Sequence, residues 1–282
     1  MSGPPRLADA EFARIAEILR DAFGWDVGPE WRPNLEHKLR RRLADLSLPG
    51  FSDYVWLLTY DRRKAEELAH AADLLTTRET YFFREQYQLK AFTDEILPLV
   101  APRAREEKRP VRVWSAGCAS GEEAYTLAML AMESPALLGG TVEVFGTDVS
   151  PAALAAARRA EYDASSLRQT TPRMRERWFT AREGRFVVDD RARACVRFGL
   201  ANLATDPPPP GPFDVAVCRN VAIYFVGAAK RRLARTLHDA LVPGGWLLLG
   251  HAESLVSVTT EFELVTLTND LVYRRPGGEQ RK

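Results

Sequence analysis

Apolar residues recur at helical spacing through the first quarter of the chain. Phe12, Ile15, Ile18, Leu19 and Phe23 mark one amphipathic helix, and Leu35, Leu39, Leu43 and Leu46 a second. FSDYVWLLTY and RRKAEELAHAADLL continue the pattern, so residues 8 to about 75 read as a small helical bundle. From residue 111 the pattern changes. Strand-like apolar runs alternate with helical ones: VRVWSA, GEEAYTLAMLAME, VEVFGTD, SPAALAAARRAEY, VRFGL, FDVAVCR, GAAKRRLARTLHDAL, GWLLLG, FELVTL and LVYRR. Such alternation predicts a mainly parallel sheet covered on both faces, an α/β fold. The last two runs have no helix between them and meet at Thr268-Asn269-Asp270, which predicts a closing antiparallel hairpin.

Residues 161–198 interrupt the alternation with short β-rich runs such as GRFVV and CVRF, which predict a small inserted β element. The polar stretch APRAREEKRP and the PPPPG run read as loops. The division is then an N-terminal helical domain over 1–78 and a larger α/β domain over 79–282, with the β-subdomain inserted at about 161–198.

Composition narrows the function by exclusion. A net charge of +1 leaves no bulk basic field for nucleic acid, so any basic patch must be local. Cys118, Cys195 and Cys218 stand far apart without a CxxC, and His37, His70, His238 and His251 form no cluster, so no metal is expected. A sparse, odd set of cysteines suits a reducing cytoplasm. The first residues, MSGPPRLADAEF, lack the apolar core of a signal peptide, and no run of about 18 apolar residues predicts insertion into a membrane.

The α/β half carries the candidate chemistry. Strand VRVWSAG runs into Gly117-Cys118-Ala119-Ser120-Gly121 and then a helix. Glycines there permit a tight turn and close approach of a ligand to the backbone. The next strand closes on Asp148, where an acid in a doubly wound fold accepts hydrogen bonds from ribose hydroxyls. The third glycine of a dinucleotide fingerprint is missing, which favours a single adenosine. Two further strand ends carry Asn202-Leu203 and Arg219-Asn220. The competing reading is structural: glycines serving only the turn, and Asp148 capping the following helix.

The motifs TTRETYFFRE, WSAGCASGEEAYTLAM, FGTDVSPAALAAAR, ANL, FDVAVCRNVAIYF, LVPGGWLLLGHAESL and LVYRR, in that order, resemble the CheR chemoreceptor methyltransferases over about residues 10–275. The resemblance implies a class I methyltransferase sheet with a small β-subdomain, and a cytoplasmic enzyme. That enzyme would transfer a methyl group from S-adenosylmethionine to glutamate side chains of a chemoreceptor, leaving S-adenosylhomocysteine. It places the cofactor against Thr80, Arg84, Gly117, Glu122, Glu123, Asp148, Asn202, Leu203, Asn220 and Val221, with Arg84 and Tyr224 nearest the transferred methyl. Arg78 departs from the Asn or His usual in the family. The partner implied is the cytoplasmic helical bundle of the receptor, met through Lys38, Arg41 and Arg42, with the enzyme a monomer. Some family members also anchor a receptor C-terminal peptide through a long, glycine-containing loop of the β-subdomain. The short stretch Thr180–Phe186 here, with its single Gly184, predicts that this chain does not.

The chemistry needs little acid–base help. A glutamate with a pKa of about 4.3 is already an anion at neutral pH. An arginine such as Arg84 can fork onto a carboxylate, and the face of Tyr224 can sit by a sulfonium cation. The bland alternatives are Arg84 paired with Glu79 or Glu85, and Tyr224 as a core aromatic beside Ile223 and Phe225. Two other functions remain at this level: a methyltransferase for small molecules or nucleic acid on the same fold, and a binding module that has lost catalysis.

Overall fold

The computed structural model describes residues 5–76 and 79–277; Arg78 lies outside the described residues. Four helices build the N-terminal domain: α1 (Asp9–Phe23), α2 (Arg32–Asp45), α3 (Phe51–Tyr60) and α4 (Lys64–Leu75). Each points its periodic apolar residues inward. Ile15, Leu19, Leu35, Leu39, Leu43, Tyr54 and Leu58 form one core that is almost fully buried.

The chain then passes through α5 (Gln86–Lys90), a π-helical stretch over Ala91–Ile96, and α6 (Leu97–Glu106). This corrects the expectation of a loop at APRAREEKRP, whose first half is the end of α6. The sequence misleads because Pro102 and the charges stand out. However, Val100, Ala101 and Ala104 share a buried face that docks against the sheet, and that burial outweighs the lost hydrogen bond of one proline.

The expected sheet is present. Strands β1 (Val111–Ala116) and β2 (Val142–Asp148) flank helix α7 (Glu122–Glu133), and α8 (Pro151–Arg159) follows. A short strand β3 (Glu161–Tyr162), α9 (Pro172–Trp178), β4 (Phe179–Arg182), β5 (Arg185–Val188) and α10 (Asp190–Ala194) form the insertion. Strands β6 (Val196–Leu200) and β7 (Phe213–Cys218), α11 (Gly227–Ala240), β8 (Leu241–Leu249), β9 (Glu263–Thr266) and β10 (Leu271–Arg274) complete the chain. The large sheet runs β6-β2-β1-β7-β8-β10-β9. Its first five strands are parallel, and the β9–β10 hairpin closes it antiparallel.

The small sheet is β3-β5-β4 and ends at Val188. The run CVRF does not belong to it; Val196–Leu200 pairs with β2 at the edge of the large sheet, where Val144 faces Val196. Strands β4 and β5 turn through Glu183 and Gly184, both in the left-handed region (φ 49° and 75°), as a two-residue hairpin that keeps the twist of its strands requires.

Every residue of β7 is buried, as expected of a central parallel strand. Its one charge, Asp214, is matched by Arg109 through two bonds of 2.7 and 2.9 Å and by the Arg112 amide at 2.9 Å. Because the strands are parallel, all five carboxyl ends open on one edge, and the loops that follow them meet there.

Candidate active site

An open cleft lies at that edge. Loops after β1, β2, β6 and β7 form its floor, and the helical domain contributes Phe23 and Trp25 to its wall. Of the residues singled out by sequence, Thr80, Arg84, Gly117, Glu123, Asp148, Asn202, Leu203, Asn220, Val221 and Tyr224 line the cleft.

The loop after β1 explains why the sequence needs glycine. Gly117 has φ 83°, and a Cβ there would sit 2.3 Å from Cγ2 of Val221, so a side chain would push two cleft walls apart. Gly121 has φ 94° and opens α7; a Cβ would meet Ala157 at 2.9 Å and Phe198 at 3.0 Å. Asp148 braces this loop from the end of β2. Its Oδ2 accepts from the Ala119 amide at 2.8 Å and its Oδ1 from the Ser150 amide at 2.9 Å. The cap of α8 is Ser150, whose hydroxyl accepts from the Ala153 amide at 3.0 Å. Asp148 lines the cleft, and its carboxylate is an acceptor of the kind a ligand hydroxyl needs.

The two adjacent glutamates separate. Glu123 faces the cleft, where its Oε1 accepts from the Ser115 hydroxyl at 2.7 Å and its Oε2 from Nε of Arg219 at 2.7 Å. Glu122 does not reach the cleft. It is buried, and accepts from the hydroxyls of Ser120 at 2.8 Å and Ser166 at 3.2 Å, joining the glycine loop to the inserted subdomain. Neighbours on a helix point about 100° apart, so only one of the pair can face the ligand. Burial pushes the Glu122 carboxyl above its ordinary range.

The segment bearing Arg84 is held rigidly on both sides. Phe82 is buried edge-on to Tyr162 and Phe179, both at 4.8 Å, and its amide donates to Ser166 O. Phe83 and Glu85 both adopt φ 60°, which turns the Arg84 side chain to the cleft. Its Nη1 donates to the backbone oxygen of Glu79 at 2.7 Å, and Nε lies 3.8 Å from the Glu85 carboxylate. The arginine is thus partnered and in the cleft at once, which joins the two readings of it.

Tyr224 ends a short 3-10 turn, Ala222–Tyr224, after β7. Its backbone oxygen accepts from Asp26 at 2.8 Å, and Phe225 forms an isolated β-bridge with Trp25. The segment linking α1 to α2 therefore holds the loop after β7. Asn202 makes the same link, donating from Nδ2 to Ala22 O at 2.7 Å while Oδ1 accepts from the Ala204 amide at 3.0 Å.

Two residues in or behind the cleft were not among the expected site residues, although Arg219 was named at its strand end. Arg219 is nearly buried; besides Glu123 it donates to Arg84 O at 2.9 Å and lies 3.6 Å from Glu85. An arginine directly after a strand buried along its whole length must find buried partners, and that was the available signal. Glu253, in GHAES, accepts the amides of Gly250, Asn220, Val221 and Ile223. Cys118 lines the cleft, but burial raises its thiol pKa, so it is an apolar filler and not a nucleophile. Of the expected partner face, Arg42 is turned inward. It forms a bidentate pair with the buried Glu67 at 2.6 to 3.2 Å, and Glu67 also accepts from Tyr54 at 2.8 Å. Arg41 is exposed. Among the described residues no group of three or more His, Cys, Asp or Glu could hold a metal ion.

A family model described as "CheR methyltransferase, SAM binding domain" matches residues 78–271, and "CheR methyltransferase, all-alpha domain" matches 10–76. The chain belongs to the CheR methyltransferase family. Chemotaxis protein methyltransferases of Vibrio parahaemolyticus and Escherichia coli are each 33% identical to it. Each alignment spans 95% of this chain, and covers 98% of the first relative and 91% of the second. A chemotaxis protein methyltransferase of Pseudomonas aeruginosa is 30% identical over 95% of this chain and 98% of its own length. The chain is therefore an S-adenosylmethionine-dependent methyltransferase. The CheR cleft fits that cofactor: a floor with no side chain at Gly117, and the carboxylates of Asp148 and Glu123 in its lining.

Proposed function

We propose that this CheR enzyme methylates glutamate side chains on the cytoplasmic helical bundle of a chemoreceptor. S-adenosylmethionine supplies, when bound, a methyl group on a positively charged sulfur. Asp148 would accept the ribose hydroxyls, Glu123 the amino group of the methionine part, and Asn220 and Val221 would flank the cofactor opposite Gly117. The target glutamate is an anion at neutral pH and needs no base. Arg84 would hold its carboxylate, with the guanidinium kept in place by Glu79 O and Glu85. Tyr224 would close the other side and keep water out. One carboxylate oxygen forms the new bond to carbon, the carbon–sulfur bond breaks with its electron pair left on sulfur, and no proton moves. Alignment of this kind is worth roughly 7–11 kcal/mol.

The single observation that supports this reading is the placement of Arg84 and Tyr224 in the same cleft as Asp148 and Glu123. For docking, the exposed Arg41 on α2 offers positive charge to acidic receptor helices, and the two-residue β4–β5 turn leaves no long loop to seat a tethering peptide. The test is to incubate the protein with methyl-labelled cofactor and receptor cytoplasmic fragments, then map the label. Alkali-labile methyl esters on glutamates are expected; label on nucleic acid or small molecules only, or none, would overturn the proposal.

A further inference from the structure

The carboxylate of Glu253 lies behind the cleft and does not line it. It gathers four backbone N–H groups: Asn220 at 2.8 Å, Val221 at 2.8 Å and Ile223 at 3.2 Å from the loop after β7, and Gly250 at 2.6 Å from the end of β8. Four main-chain donors thus converge on one carboxylate. Asn220 is in the left-handed region at φ 60°, a conformation uncommon for a residue with a side chain. Strain of this sort persists only where surrounding bonds over-determine it. The space for the clamp is itself fitted: a Cβ on Gly250 would lie 2.7 Å from Oε2 of Glu253 and 3.1 Å from the Asn220 amide.

From this we infer that Glu253 is a positioning residue for the methyl-transfer site. It fixes the Asn220–Val221 backbone against Gly117 and, through Ile223, the turn that carries Tyr224. A carboxylate suits the task because its two oxygens offer about four acceptor sites and no donor, so four converging N–H groups are all satisfied. A glutamine of the same shape would turn an NH2 group toward some of these donors. The Asn220 backbone would then relax, and the cofactor would lose one wall of its cleft. The inference rests on the cofactor occupying this cleft, as the family assignment requires.

The experiment uses the full chain and S-adenosylhomocysteine as the probe, with affinity measured by calorimetry and folding by thermal melt. Parent protein that fails to bind would count against the site assignment itself. With the parent binding, Glu253→Gln is expected to weaken the affinity at least about tenfold in the folded protein, the factor that one hydrogen bond to a charged group is worth. Asp214→Asn is the control. Asp214 is an equally buried acceptor of a backbone amide at the far end of β7, and its loss should lower the melting temperature while leaving the affinity unchanged. Gly250→Ala crowds the same clamp without removing charge, and serves if Glu253→Gln does not fold. Combining Glu253→Gln with Asn220→Ala should cost less than the product of the two separate effects, since one residue acts through the other. An affinity within twofold of the parent in both Glu253→Gln and Gly250→Ala, or strict additivity with Asn220→Ala, would overturn the inference.

Discussion

Trp31 meets Tyr224 edge to face, with ring centroids 5.9 Å apart and planes at 81°. Trp31 is the residue immediately before α2, so the helical domain touches the site at one of its proposed reacting-side residues. Such a contact contributes about 0.5–1.5 kcal/mol. Trp31→Ala should therefore lower kcat by roughly two- to tenfold at saturating cofactor and receptor, with Trp31→Phe retaining most of it. Affinity for S-adenosylhomocysteine should change less than kcat. Equal kcat for Trp31→Ala and parent would show that the ring does not orient Tyr224.

The arginines of α2 divide into two kinds, and substitution separates them. Arg42→Ala leaves the buried Glu67 with only Tyr54 and should cost about 2–3 kcal/mol of stability. Arg41→Glu alters an exposed position and should change stability by less than about 0.5 kcal/mol. Receptor methylation should respond the other way: Arg41→Glu should lower the rate more than removal of the receptor's C-terminal peptide does, and the loss should shrink as salt is raised. A strong drop on peptide removal, with none for Arg41→Glu, would move docking to the β-subdomain.

Glycines offer an internal comparison. Gly117→Ala adds a methyl 2.3 Å from Val221 at φ 83°, and should weaken cofactor binding tenfold or more, on the order of 1.4 kcal/mol. Gly184→Ala has a similar φ of 75° but open space around its Cβ, so it should cost about 1 kcal/mol of stability without touching the cofactor. Calorimetry and chemical denaturation on both variants decide between close approach and mere turn geometry at Gly117.

Much of this architecture was legible in the chain because its parts obey one period each. The leucines of α2 lie on one face, the strand runs are largely apolar, and the strand-end residues Gly117, Asp148, Asn202 and Asn220 reach one cleft because parallel strands end on one edge. What was not legible depends on direction within a single turn or on partners far along the chain. Nothing local tells Glu122 from Glu123, and the direction of α7 decides it. Arg42 looks like a surface charge until Glu67, on a different helix, is placed against it. CVRF reads into the insertion and VRFGL into the main alternation, and only the pairing with β2, some way back in the sequence, decides between them. Glu253 lies within LVPGGWLLLGHAESL, a motif that gives its carboxylate no role, and only the folded loops show four amides aimed at it.

Glu122 gives a pH dependence whose sign is fixed by its surroundings. The carboxyl is almost fully buried among Ser120, Ser166 and Tyr162, and burial is the main cause that raises its pKa above the ordinary 4.5. Both serine bonds act in the opposite direction, and Asp163 nearby adds to the rise. A raised value means the folded state prefers the neutral acid. The stabilising contribution is then complete below pH 4.5 and is lost as pH climbs through the raised value, so at neutral pH the ionised group is a burden on the fold. Glu122→Gln keeps the shape and an acceptor for the serines and cannot ionise. It should be more stable than the parent at pH 8, and the advantage should fall away as pH is lowered toward 4.5. Urea unfolding midpoints at pH 8, 6 and 5 for both proteins measure this. S-adenosylhomocysteine affinity on the same samples should stay within twofold, because the side chain faces away from the cleft while Glu123 faces into it. A stability difference that does not vary with pH would show that the burial of this carboxyl carries no ionisation cost, and a large loss of affinity would return Glu122 to the cofactor site.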